Sequence, residues 1–382
     1  MRSRLWWLLV PLAVAGLVAS ASGPAWGAAR SAAAAASAPA LTVYMAPASK
    51  GGSDKHTGLT TSSPVLTLAR VQQVLERKKP AGDVVVRIEQ GTYVAASTTW
   101  SYYVAGHTIS FMPSNYVLGH GRPADGDPAF VNVTSKGQHP ANTWFHAELP
   151  GSSSSLRGGG NVGLRFYYLL IEDYTQGINL DGQTGHAYHN NAKPAMYIKP
   201  SAGLNDVDVS GMTFSHIGDQ YAPGYTGYGV VLFTDSSGDS IVNNTFDDIY
   251  NTGDTDELHG LYITHFSSDN TISKNLFENT NGEAVKVRDR SNDNTVSGNR
   301  FINTGGVSAY LDDFCDYTCA LENEKPPVAY QQCASYGNHF ADNTVESNNF
   351  TDLIPSGETY AGGAGCSIPK GQERLYSSGN KR

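Results

Sequence analysis

Basic side chains are scarce in this chain: Lys and Arg total 26 against 35 Asp and Glu, a net charge of −9 over 382 residues. That balance excludes a nucleic-acid-binding role, whose footprint is a basic stripe. Long apolar runs are missing after Val18, so no later stretch approaches the roughly 20 apolar residues of a membrane-spanning helix. Charged residues make up only 16%, and the 41 Gly and 18 Pro follow no fixed period, which excludes a coiled coil and a collagen. Cysteine is sparse as well: Cys315, Cys319, Cys333 and Cys366 all fall in the C-terminal fifth.

What is present begins with Arg2 and Arg4, the apolar run Leu5 to Val18, and small residues up to Ala28. This order predicts an export signal over 1–28, followed by an Ala/Ser-rich spacer over 29–41. The exported chain is expected to be extracellular and monomeric, with no membrane or nucleic-acid partner. Without Arg2 and Arg4 it keeps 24 basic against 35 acidic side chains, a net charge of −11. In an oxidising compartment the four cysteines predict two disulfides, with three connectivities open. A zinc site fits the CxxxC spacing poorly.

An internal repeat carries most of the information. The segments Val209 to Phe214, Ile241 to Phe246, Ile272 to Phe277, Val296 to Phe301 and Val345 to Phe350 share a β-branched residue, a fourth position that is Asn in four cases, and a closing Phe. Their Phe residues lie 32, 31, 24 and 49 apart, so the unit is one short coil with loops of variable length. Upstream, Val230 to Leu232, Leu261 to Ile263, Val285 to Val287 and Val307 to Leu311 form short apolar strands. Strands this short need neighbours; stacking coils about 4.8 Å apart supplies them and lines up Phe and Ile/Val inside. Asn244, Asn275, Asn299 and Asn348 then form a scaffold column of stacked amides.

These coils resemble the right-handed parallel β-helix of the pectate-lyase-like superfamily, as does the N-terminal segment: Thr42 to Pro47, the amphipathic Thr67 to Leu75, Val84 to Ile88 and Gly91-Thr-Tyr93. The resemblance implies an all-β fold over 42–370, a helix capping its N-terminal end, and a C-terminal tail over 371–382. It also implies a secreted, carbohydrate-active protein whose outward strand face forms the floor of a sugar groove.

Counting back eleven residues from Ile241, Ile272 and Val296 reaches Val230, Leu261 and Val285. If these point inward, the outward rows are Val231, Tyr262, Lys286 and Ser308 or Tyr310, then Phe233, Thr264, Arg288 and Tyr310 or Asp312. Arg290 lies just beyond. The loops entering these strands carry Asp219, Tyr221, Tyr225 and Tyr228, aromatics suited to stacking on sugar rings, and then Asp254, Asp256, Glu257 and His259. His259, with Glu257 near it in sequence, is the leading acid–base candidate. Lys199 and the His186/His189 loop near Asp181 are further substrate candidates.

Cleavage of a uronic-acid polymer by β-elimination requires a carboxylate neutraliser, a base and an acid. Arg288, Lys286 and His259 or Tyr262 offer these roles. A hydrolase would use paired carboxyls from Asp256, Glu257, Asp312 and Asp313; a uronan epimerase and a non-catalytic glycan-binding protein are the other readings. Calcium is expected as a possible cofactor, with Asp254, Asp256 and Asp313 as ligands, since hard oxygens bridge an acidic protein to an acidic polymer.

Overall fold

The computed structural model describes residues 38–382 except 124–125, 133–142, 150–160, 183–202, 223–226, 254, 256, 307, 313–332 and 347–367. The chain winds through three long parallel sheets of ten, eight and seven strands, each strand pairing with those of the coils before and after it. One turn of the winding is Ser240–Val242, Thr245–Ile249 and His259–Thr264; the next is Thr271–Ser273, Leu276–Thr280 and Val285–Val287. Single strands of three to six residues are too short to persist alone, so this parallel β-helix is held by stacking.

The repeat maps onto the stack rung by rung. Val209, Ile241, Ile272 and Val296 are in register in the ten-stranded sheet, and Phe214, Phe246, Phe277 and Phe301 in the eight-stranded one. The Phe rings stack with centroids 5.2, 4.7 and 5.1 Å apart. Between the two rows the third repeat position turns the chain with positive φ, at Gly211 (69°), Asn243 (60°), Lys274 (58°) and Gly298 (65°). The Asn that follows is buried and hands its carbonyl oxygen to the amide of the rung before: Asn244 N donates to Asn275 Oδ1, and Asn275 N to Asn299 Oδ1, both at 2.9 Å.

The fifth repeat is in a different register from the one predicted. Asn299 N donates to Asn343 Oδ1, and the rung is Phe340 to Val345, with Phe340 opposite Val296 and Val345 opposite Phe301; Asn348 and Phe350 lie outside the described residues. The two inward residues have exchanged types, which the core accepts because both are apolar and of compatible bulk. The predicted tail is also part of the stack. Leu375–Ser378 pairs with Asn338–Ala341, and Asn380 Oδ1 accepts from Asn343 N at 3.0 Å, so 371–382 contributes the last rung. At the other end the first strand begins at Leu41, inside the range assigned to the spacer. The helix Leu68–Lys78, capped by Thr67 whose side chain accepts from Arg70 N, buries Leu68, Val71, Val74 and Leu75 in the same core as Val43 and Val84.

A second polar column runs Asp239, Asn270, Asn294, Asn338, each backbone amide donating to the next side chain. Asp239 stands where its neighbours are Asn, and burial pushes its carboxyl up to about 7. It accepts from Val207 N at 2.9 Å and Ser236 Oγ at 2.6 Å. A folded pKa above the ordinary 3.8 means that the stabilising contribution is complete below pH 3.8 and is lost as pH rises towards 7. Asp239→Asn is therefore expected to stabilise the fold by about 3 kcal/mol at pH 8 and to change little at pH 4. Urea unfolding at the two pH values reads this; an equal effect at both would refute the assignment of the cost to ionisation.

Candidate functional site

The seven-stranded sheet carries the candidate site. Its strands are Thr98–Trp100, Thr143–Glu148, Gln176–Asp181, Gly229–Thr234, His259–Thr264, Val285–Val287 and Tyr310–Asp312. Inward lies a row of Phe145, Ile178, Val231, Leu261, Val285 and Tyr310. The outward row is Thr99, His146, Asn179, Leu232, Tyr262, Lys286 and Leu311, with Glu148, Asp181, Thr234 and Thr264 two residues on.

Val231 and Phe233 are therefore core residues, and Leu232 and Thr234 take the outward places predicted for them. The turn after this strand is one residue shorter than its successors. Asp235 alone has positive φ there, whereas the following coils use two such residues, His265 with Phe266 and Asp289 with Arg290. A count-back of fixed length slips by one at that coil, and one residue of slip exchanges the faces.

Four predicted residues are brought together outside this sheet: His259, Tyr262, Lys286 and Arg288. His259 reaches the outer face because the strand bends at Gly260. A Cβ on Gly260 would lie 2.7 Å from the Phe277 ring, so two successive positions, 260 and 261, face inward and 259 faces out. The imidazole is 1% exposed and meets the Tyr262 ring edge-on at 5.3 Å. Its Nδ1 lies 3.1 Å from the Glu283 carbonyl oxygen. A carbonyl only accepts, so Nδ1 carries the proton and the Nε2 lone pair is free of it. Burial, reinforced by the Lys286 charge and opposed by the Glu283 hydrogen bond, holds the imidazole pKa well below its ordinary value. His259 is thus neutral, and its 3.5 Å approach to the Glu283 carboxylate is not an ion pair. Glu283, and not Glu257 as predicted, is the residue that orients it; Glu257 sits half-buried at the strand's entrance.

Tyr262 is 5% exposed, and Arg288 Nη1 donates to its hydroxyl at 3.3 Å. Lys286, one rung on, places Nζ 5.8 Å from the centre of the same ring, within cation–π range. A phenol hydroxyl, a lysine amine and a guanidinium thus converge on one outer surface, backed by a buried neutral imidazole.

Other candidates fall elsewhere. Tyr310 is opposite Val285 and fully buried against Phe340, so its assignment to the groove is corrected to the core. Asp312 is opposite Val287, an inward position, and Arg374 donates to its carbonyl at 2.8 Å and its carboxylate at 3.4 Å. Its predicted place beside Arg288 is thereby corrected: it anchors the last rung. Arg290 belongs to the following turn, which it braces by pairing with Asp289 at 2.7 Å and covering the Phe266 ring at 5.2 Å. Tyr228 adjoins the site, its carbonyl accepting from His259 N at 3.1 Å. Tyr225, Lys199, Asp254, Asp256 and Asp313 lie outside the described residues, as do His186 and His189. Among the described residues no three His, Cys, Asp or Glu side chains are grouped to hold a metal. Cys333 is disulfide-bonded, and the other three cysteines lie outside the described residues.

Sequence reasoning missed the other end of the same face, where His146 lies between Glu148 and Asp181 and next to Asn179. The signal was available in the alternation Phe145-His146-Ala147-Glu148, apolar residues in and polar residues out.

Residues 156–324 match the family model described as the right-handed beta helix region. No curated protein matches the sequence. Among solved structures, an alginate lyase from Paenibacillus sp. str. FPU-7 is similar at 14% identity and a TM-score of 0.43, covering 90% of this chain and 99% of that one. A rhamnogalacturonan lyase matches at 14% identity and 0.37, covering 82% and 84%. A surface adhesin of Streptococcus pneumoniae matches at 11% and 0.28, covering 80% and 90%. Likeness at this level concerns the fold alone. Among the described residues no helix is long and apolar enough to cross a membrane.

Proposed function

The chain being a right-handed parallel β-helix protein with Tyr262, Lys286 and Arg288 gathered on one outer face, we propose that it is a secreted polysaccharide lyase cleaving a uronic-acid-containing glycan by β-elimination. The observation that carries this reading is the shared tyrosine: one hydroxyl held by Arg288, with Lys286 against the same ring. The Arg288 guanidinium matches a sugar carboxylate in shape and charge, and neutralising it favours loss of the adjacent C5 proton. Lys286 Nζ, having given its own proton to solvent, takes that proton. The C5–H electron pair forms the C4–C5 double bond, the C4–O4 bond breaks, and the Tyr262 hydroxyl gives its proton to O4. Proton return from Lys286 to Tyr262 through solvent restores the site.

His259 is a positioning residue in this scheme. Neutral and fixed through Nδ1, it packs behind Tyr262 without placing a second positive charge beside Lys286. A hydrolase is less well supported, because Asp312 is taken by Arg374 and the Glu148 and Asp181 carboxylates are separated by an imidazole, not open to one glycosidic bond. Export is supported by the N-terminal sequence. Calcium stays a proposal at Asp254, Asp256 and Asp313, which lie outside the described residues.

The test incubates the protein with uronic-acid and neutral polysaccharides, with calcium or with chelator, following ultraviolet absorbance and reducing ends together. A lyase raises both on a uronate polymer. Reducing ends without absorbance would sink the elimination reading.

A further inference from the structure

The proposed chemistry occupies one end of the outer face. Four rungs away along the outward row, through Tyr262, Leu232 and Asn179 to His146, lies a different surface, about 19 Å from Lys286 at the strand spacing. Glu148 and Asp181 are in register on neighbouring strands. His146 lies between them, Nδ1 3.5 Å from the Glu148 carboxylate and Nε2 3.5 Å from that of Asp181. Its two nitrogens face different carboxylates, so the three groups do not converge on one point as metal ligands would.

Asn179 supplies the independent observation. It flanks His146 on the outward row, opposite in direction to the core residues Ile178 and Leu180, and is 4% exposed. Its Oδ1 has no hydrogen-bond partner among the described residues. A buried acceptor left this way is costly unless a ligand donates to it. With two carboxylates beside it, the surface accepts hydrogen bonds and repels anions.

We propose that the His146–Asn179–Asp181 end of the groove is a subsite for an uncharged sugar residue whose hydroxyls donate to Asn179 and the carboxylates. The preferred substrate is then a heteropolymer carrying a uronate at Lys286 and Arg288 and a neutral sugar several units along, not a homopolymeric uronan. The identity of the uronate end rests on the lyase reading; the neutral-sugar subsite does not.

The experiment compares kcat/KM on an alternating uronate–neutral hexose polymer with that on a homopolymeric uronan, for the wild-type protein and for Glu148→Gln/Asp181→Asn, with melting curves as a folding control. The wild-type protein is expected to favour the alternating polymer by tenfold or more. The isosteric double variant is expected to narrow that ratio about tenfold, mainly by lowering KM for the homopolymer, and Asn179→Leu to raise KM for the alternating polymer. A wild-type preference for the homopolymer, or a ratio that the variants leave unchanged, overturns the proposal. If no unsaturated ends appear on either polymer, the lyase reading fails by itself. Affinity electrophoresis in the same two polymers then decides the subsite: retardation by the alternating polymer that Asn179→Leu abolishes supports it, and equal mobility of the two proteins overturns it.

Discussion

Lys286→Ala is expected to lower the rate of elimination by about 10³-fold or more while leaving the fold intact, because a positioned base contributes roughly 10²–10⁴ and, among the described residues, no other amine is against the Tyr262 ring. Neighbouring variants separate the roles. Tyr262→Phe keeps the ring, the His259 contact and the Lys286 contact, but removes the hydroxyl that Arg288 holds. Its loss should fall on kcat and be smallest for substrates with a good leaving group, which need no acid. Arg288→Lys keeps a charge but not the planar fork, so it should raise KM and lower kcat together. His259→Gln can still donate to the Glu283 carbonyl and should cost only about tenfold, as expected of a residue that acts through Tyr262. Its pH profile is the discriminating readout. The folded pKa of His259 is depressed, so the neutral form is complete above the ordinary 6.5, and its packing behind Tyr262 is disturbed only as pH falls through the lowered value. Wild-type activity should lose this acid limb in His259→Gln. Full activity in Lys286→Ala would remove the base from Lys286 and the mechanism with it.

The scaffold was more legible than the site. Repetition made it so: over the rungs from Ile241 to Phe301 the Ile/Val row, the Phe row and the Asn column all recur, and any one of them locates the coil. The register failed where repetition was broken. At the fifth coil Phe and Val traded places, and the better sequence match, ending at Phe350, displaced the true rung ending at Val345. Before Ile241 a turn with one positive-φ residue replaced a turn with two. The cluster of His259, Tyr262, Lys286 and Arg288 was found because its strands are in the regular part of the stack. The Glu283 contact that fixes the His259 ring was not, because Glu283 approaches from the next coil, 24 residues away in sequence and adjacent in space. Glu257 was preferred for proximity along the chain, which in a coil says little about proximity across rungs. His146 and Asn179 were missed for a related reason: they precede the clear repeats, in coils where no Phe column announces the face.

Asn275→Leu tests the claim that the Asn column holds the coils together and does not merely fill a slot. Asn275 is 2% exposed. Its Oδ1 accepts from the Asn244 backbone amide at 2.9 Å and from Asn244 Nδ2 at 3.0 Å. Its Nδ2 donates to the Ile241 carbonyl at 2.8 Å and to Asn299 Oδ1 at 3.0 Å. Leucine has similar volume and would gain from burial, so a view based on area alone makes the change neutral or favourable. The opposing term is larger. The Asn244 amide and part of its side chain lose their acceptor inside the protein, at about 1–3 kcal/mol for each orphaned group, while leucine's gain is limited by the polar walls around it. The expected loss is about 3–5 kcal/mol. Because a stacked array couples nearest neighbours, the loss should be local first. Hydrogen exchange should quicken at the Asn244 and Asn275 amides and on the strands beside them, and remain slow at Val84–Ile88 near the capping helix. Unchanged exchange at Asn244, or a urea midpoint within error of the wild type, would mean that stacking of Phe246, Phe277 and Phe301 alone sets the rung spacing. The amide column would then follow from that spacing and not produce it.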